Sequence, residues 1–229
     1  LCHVFLITSN LLSLAIYMNE IKYLIDGFKQ FQLDYQSDVD GKFSKLSQYG
    51  AHSKILMIAC CDSRVDPAII THAETGDLMV IRNMANIVPP FQQDSAYQET
   101  QAAIQFAVCY LNIEQIIVMG HSRCGGVRSL LTRLMDRVDA EQALDKWTAL
   151  LEPTAKQVLT DMPHDSLDEQ SCCCSRRSII CSLDRLKAYP WVEDKLKHGK
   201  MTLHGWYFNL ANGQLENYNS DRQQFETLY

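Results

Sequence analysis

The chain has no block of lysine and arginine. Its 21 Lys and Arg stand against 27 Asp and Glu, a formal charge of −6, which argues against nucleic acid as the main partner. It has no G-x-G-x-x-G and no P-loop lysine, so a nucleotide site is poorly supported. It has no repeat, no low-complexity tract and no interdomain linker. An even cysteine framework is missing too. Nine cysteines in 229 residues is an odd number in a chain too long for a disulfide-stapled miniprotein. That usage implies free thiols in a reducing compartment, the cytoplasm, with some thiols available to a metal.

The N-terminal stretch "LCHVFLITSNLLSLAIY" carries no Lys or Arg and is interrupted by His3, Thr8, Ser9, Asn10 and Ser13. It lacks the charged start of a signal peptide and is short for a membrane span. Met18 then opens ordinary helical sequence. Residues 1–17 are therefore expected to be an upstream extension and 18–229 a single domain, with no membrane partner.

Hydrophobic content of 47% is ample for a core. Apolar residues at Ile21, Leu24, Ile25, Phe28 and Phe31 follow helical spacing. The segment "GKFSKLSQYGAHS" reads as polar and glycine-punctuated. "KILMIAC" (54–60) and "QIIVMG" (115–120) are continuous apolar runs, and "DLMVIR" (77–82) is a third short strand. Unbroken apolar runs fit strands buried on both faces, as in a parallel sheet. Residues 95–112 read as a helix, and "HSRCGGVRSLLTRLMDRV" leads into another. Residues 139–189 read as broadly helical. The strand-like pieces around "ANG" near the C-terminus predict a hairpin. The fold class expected is α/β: a central, mainly parallel β-sheet flanked by helices, with an N-terminal helical arm and a C-terminal hairpin.

Two of these strands end in reactive residues. One closes on Cys60 and Cys61, followed by Asp62 and Arg64; the other closes on "GHSRCGG", with His121 and Cys124. In open parallel sheets ligands bind beyond the carboxyl ends of strands. A cysteine from one end and His-x-x-Cys from the other make a Cys₂His set, which suits zinc with a fourth position left open. Gly125 and Gly126 would let the backbone pass close to the metal. Strand pattern alone does not choose between Cys60 and Cys61.

The stretches "CCDSRVDP", "GDLMVIRNMANIVPP", "GHSRCGGV", "LKAYPWVEDKLKHGKMTLHGWYF" and "GQLENY" resemble a β-class carbonic anhydrase over roughly residues 24–218. The resemblance implies one zinc per chain on Cys60, His121 and Cys124, with Cys61 a variable neighbour. It implies a catalytic pair, Asp62 and Arg64. The activity implied is reversible hydration of carbon dioxide to bicarbonate and a proton, by attack of zinc-bound hydroxide on CO₂. It further implies an apolar substrate pocket near Met79, Met84 and Phe106, and a homodimer or a larger assembly of dimers. The chain departs from many members in having Ala51 where they carry a glutamine. Some members have a closed form regulated by bicarbonate; Ile81 before Arg82 and Asn83 favours the constitutively open form here. Competing readings are a CS₂ or COS hydrolase on the same fold, and a non-catalytic zinc-binding protein. The run Cys172–Cys174 has no family role and is read as incidental exposed or semi-buried thiols. His52 and His72 are candidates for a proton shuttle.

Overall fold

The computed structural model describes residues 21–38, 41–50, 53–92, 97–139 and 142–228. The expected extension at 1–17, the start at Met18, Ala51 and His52 lie outside them. The chain divides into two compact units, one ending at Ala51 and the other running from His52.

In the first unit, residues 21–36 form helix α1, as the apolar spacing predicts. Ile21, Tyr23, Leu24, Ile25 and Phe28 are exposed on it. The polar segment that follows holds a second helix, α2 (Lys42–Tyr49). Asp38 starts it, its carboxylate accepting from the Lys42 and Phe43 amides at 3.0 and 2.7 Å. Such a cap satisfies amides that a helix start leaves free. The two helices touch through aromatic rings, Phe31 and Tyr35 lying 5.6 and 4.7 Å from Phe43.

The second unit is built on a six-stranded sheet of β1 (Ile55–Cys60), β2 (Leu78–Asn83), β3 (Gln115–His121), β4 (Thr202–Phe208), β5 (Leu215–Asn219) and β6 (Gln224–Thr227), in the order β2-β1-β3-β4-β5-β6. The first four strands pair in parallel, and β5 and β6 are added antiparallel. The mixed sheet is the mainly parallel one expected, and β4–β5 is the expected hairpin. Its turn needs Gly213 at φ +73°, where a Cβ would be strained. β6 is an extra strand beyond the expected pair.

Helices cover both faces: α3 (Pro67–Thr71), α4 (Gln98–Gln105), α5 (Gly125–Met135), α6 (Ala143–Thr148), α7 (Glu152–Asp161), α8 (Leu167–Lys187) and α9 (Pro190–Lys197). Residues 139–189 thus hold three helices. Pro153 opens α7 within its first turn, where a missing N–H does no harm. Ser166 and Glu169 form a capping box at α8. The main core gathers Leu56, Ile58, Ile104, Ile116, Val118, Ile179 and Tyr207 around the central strands. α8 lies close against the sheet because Gly120 and Gly205 face Ile179; a Cβ on either would sit within 2.9 Å of it. Among the described residues no helix is long and apolar enough to cross a membrane.

Candidate active site and metal centre

β1 and β3 are neighbours in the sheet, and both deliver their last side chain to the same end. Cys60 ends β1, His121 ends β3, and Cys124 precedes the first residue of α5. Their ligand atoms lie within 4.8 Å of one another, and all three residues are buried. The Cys60 and Cys124 sulfurs are 3.9 Å apart. Cys61, one residue on, is exposed and stands outside the cluster.

The histidine is set for a ligand. Its Nδ1 lies 2.9 Å from the Ser122 carbonyl oxygen. A carbonyl can only accept, so Nδ1 carries the proton and Nε2 presents a bare lone pair. That Nε2 is buried with no hydrogen-bond partner, a costly state unless something else binds it. Ser122 is itself fixed: its amide donates to the Phe208 carbonyl at 3.0 Å, and its Oγ accepts the Leu210 amide at 2.9 Å. The β4–β5 turn therefore holds the residue that orients His121.

The two sulfurs lie within reach of a shared hydrogen bond. The hydrogen bond with Cys124 pulls Cys60 well below the ordinary thiol range, against its burial, helped by nearby backbone amides. The same contact, with burial, pushes Cys124 up, while the Gly126 and Val127 amides at the start of α5 pull the other way. A cation between the sulfurs would replace that hydrogen bond and keep both as thiolates. Two soft thiolates, an unpartnered imidazole nitrogen and a buried setting fit zinc.

Beside the cluster, Asp62 and Arg64 form a two-point pair. Arg64 Nε donates to Asp62 Oδ1 at 2.9 Å and Nη2 donates to Oδ2 at 2.7 Å; the Arg64 amide adds a third bond to Oδ1 at 3.0 Å. These bonds hold the Asp62 carboxyl far below the usual carboxylate range. An ionised carboxylate has about four acceptor sites; three are taken, which leaves one on Oδ2. Arg64 Nη2 also donates to the Arg123 carbonyl at 3.3 Å, tying this loop to the one that carries Cys124.

Two residues that hold this loop, Asp66 within it and Arg82 on β2, were not anticipated. Asp66 caps α3 through Oδ1, accepting the Ala68 amide at 3.0 Å, and Arg82 donates to its Oδ2 at 2.8 Å. "DP" at 66–67 is an N-cap followed by an N1 proline, the signal that could have revealed both the helix and the cap.

Met84 lines a cavity of about 400 Å³ with Ile81, Asn83, Tyr97, Ala103 and Trp147. Met79 packs against the main core. Phe106 is half exposed and stacks on Tyr110, ring centres 5.6 Å apart. Gly126 is required, but by Met84: a Cβ there would lie 2.8 Å from the methionine side chain. Gly125 has open space around it, so the expected pair of glycines approaching a metal reduces to one packed on Met84. The cysteine run falls on α8, where successive side chains point about 100° apart. Cys174 is fully buried while Cys172 and Cys173 are intermediate, so the run is less exposed than expected.

A family model described as carbonic anhydrase matches residues 55–215. The chain belongs to the β-carbonic anhydrase family. It is 38% identical over 168 residues to beta carbonic anhydrase 5, chloroplastic, of Arabidopsis thaliana; the match covers 73% of this chain and 55% of the plant protein, so the chain spans little over half of that relative. The structure of the β-carbonic anhydrase CcaA superposes with a TM-score of 0.81 at 34% identity, over 91% of this chain and 99% of that one. A tetrameric β-carbonic anhydrase of Sordaria macrospora gives a TM-score of 0.77 at 25% identity, over 87% of this chain and 96% of that one.

Proposed function

We propose that this chain is a zinc lyase that hydrates carbon dioxide reversibly, with residues 52–229 as its catalytic unit. The observation that carries this is the buried Cys60–His121–Cys124 cluster, with its unpartnered Nε2, beside an ionised Asp62 held by Arg64. One zinc per chain would be held by Cys60 Sγ, His121 Nε2 and Cys124 Sγ, where it would supply Lewis acidity that brings a water's pKa to about 7.

The chain's own residues do the rest. The free Oδ2 site of Asp62 accepts the hydrogen of the attacking O–H and aims its oxygen lone pair at the carbon of CO₂. Arg64 keeps Asp62 ionised and in one orientation, so the carboxylate never competes as an acid at neutral pH. Both Asp62 oxygens face Arg64, and Asp62 is not part of the cluster, which supports the open form. A structural zinc site would have no use for this pair. The relatives named above are carbonic anhydrases, which favours CO₂ over CS₂ or COS.

Met79, Met84 and Phe106 are proposed to line the substrate pocket only once a second copy packs on the exposed Phe106; the tetrameric relative supports such self-association. Free thiols at all eight described cysteines support a reducing compartment, and we place the protein in the cytoplasm. The decisive experiment is stopped-flow CO₂ hydration with zinc measured on the same sample. Hydration that scales with zinc is expected; a zinc-loaded chain with no hydration between about pH 7 and 9 would overturn the reading.

A further inference from the structure

β2 is the edge of the sheet, and its pairing with β1 stops where the site begins. The last register pair is Cys60 with Asn83, and the Cys61 amide makes one further bond, to the Asn83 carbonyl at 3.0 Å. The carbonyls around this loop need donor partners from elsewhere. Arg82 supplies them. Its Nε donates to the Cys60 carbonyl at 3.1 Å and its Nη2 to the Asp62 carbonyl at 2.6 Å. Its Nη1 donates to Asp66 Oδ2 at 2.8 Å. The Asp62 carbonyl also closes a turn to the Val65 amide at 3.2 Å.

A guanidinium is planar, with its N–H groups in a fixed fork. Three acceptors bound to one such fork are fixed relative to each other. Two belong to the residue that gives the first cluster sulfur and the residue that gives the pair's carboxylate. The third belongs to Asp66, which is anchored to α3 by its other oxygen. None of the three bonds reaches a reacting atom. The geometry points to Arg82 as a positioning residue: it sets the placement of the Asp62 carboxylate relative to the Cys60 sulfur, with Asp66 as its anchor. This rests on the CO₂ hydration activity proposed above.

The test compares wild type, Arg82→Ala and Arg82→Lys as zinc-loaded full chains, with turnover expressed per bound zinc. Arg82→Ala should keep its zinc and its KM for CO₂, while kcat per zinc falls about 10²-fold, the scale for a misplacement on the order of 1 Å. Added methylguanidinium should restore part of that kcat. Arg82→Lys, with one ammonium for three acceptors, should stay low. If Arg82→Ala does not fold, Asp66→Asn serves: it keeps the capping oxygen, turns an N–H towards Arg82, and should lower kcat per zinc in the same sense. A merely structural residue would behave differently, with less zinc and a lower Tm but wild-type kcat per zinc in every variant and no rescue. That result overturns the inference and leaves the activity standing. An inactive zinc-loaded wild type overturns both.

Discussion

Asp62→Asn separates positioning from metal holding more sharply than any other substitution. Asparagine keeps one oxygen, which can still accept from the Arg64 amide and Nε. Its amide nitrogen then meets Arg64 Nη2, which sits 2.7 Å from Oδ2 in the native pair, donor against donor. If the amide flips, the clash moves to the two bonds on Oδ1, at 2.9 and 3.0 Å. Either way the free acceptor site of Oδ2, or its charge, is lost. A hydrogen bond to a charged group is worth about 1.5–3 kcal/mol, which corresponds to about 10–10²-fold in rate. A misaligned Arg64 adds up to about another 10²-fold. The expected kcat is therefore lower by roughly 10 to 10⁴-fold. Zinc content should not change, since Asp62 is outside the cluster. Stopped-flow hydration, with zinc quantified by plasma mass spectrometry, reads both quantities. A zinc-loaded Asn variant with wild-type turnover would refute the role given to Asp62. A variant that loses its zinc would refute its separation from the metal centre.

Cys60→Ala should abolish zinc binding and activity while Cys61→Ala keeps both, read by the same two assays; the opposite result would exchange the two cysteines. Asp62 also makes a pH signature in stability. Its folded pKa lies below its unfolded value of about 3.9, so its contribution is fully present above about pH 4 and fades as pH falls through the lower folded value. The stability gap between wild type and Asp62→Asn in urea should be constant from neutrality to about pH 5 and shrink below it. Gly205→Ala would set a Cβ 2.8 Å from Ile179 and 3.0 Å from Leu183, and should destabilise by about 1–3 kcal/mol in urea unfolding. Burial pushes the Cys174 thiol up to about 12. Iodoacetamide at pH 8 should therefore modify the exposed Cys61 and Cys109 and leave Cys174 unlabelled in the folded protein.

The central strands and the place of the cluster were legible in the sequence because buried strands announce themselves as unbroken apolar runs, whereas Cys60 was chosen over Cys61 only through the family resemblance. The C-terminal ends of those runs point to where chemistry sits. β2 was displaced by one residue, because "DLMVIRN" offers Asp77 and Asn83 as equally plausible bounds. Periodicity could not show α3, five residues long, whose only mark is the Asp66–Pro67 cap. α2 hid behind its serines and glycines because its start depends on Asp38, outside the helix. β6 follows an Asn-Ser-Asp turn and carries few apolar residues. Arg82 was invisible in the role proposed for it: two of its three partners are backbone carbonyls, which leave no trace in residue type. Phe106 was placed in a pocket by the family resemblance alone, since nothing in its own residue type separates a pocket lining from a packed or exposed aromatic.

The cluster also dates the folding of the chain. Cys60 and Cys124 are 64 positions apart, and they meet only when β1 and β3 are paired in parallel. Parallel pairing closes long loops before any contact rewards them, which makes it slow. Of the three cluster residues, only His121 and Cys124 are close in sequence, and two donors make a weak chelate. The unfolded chain therefore does not preassemble this three-point site. Tight capture of the metal comes after the central strands have assembled, so its uptake kinetics would keep time for the sheet rather than for the metal.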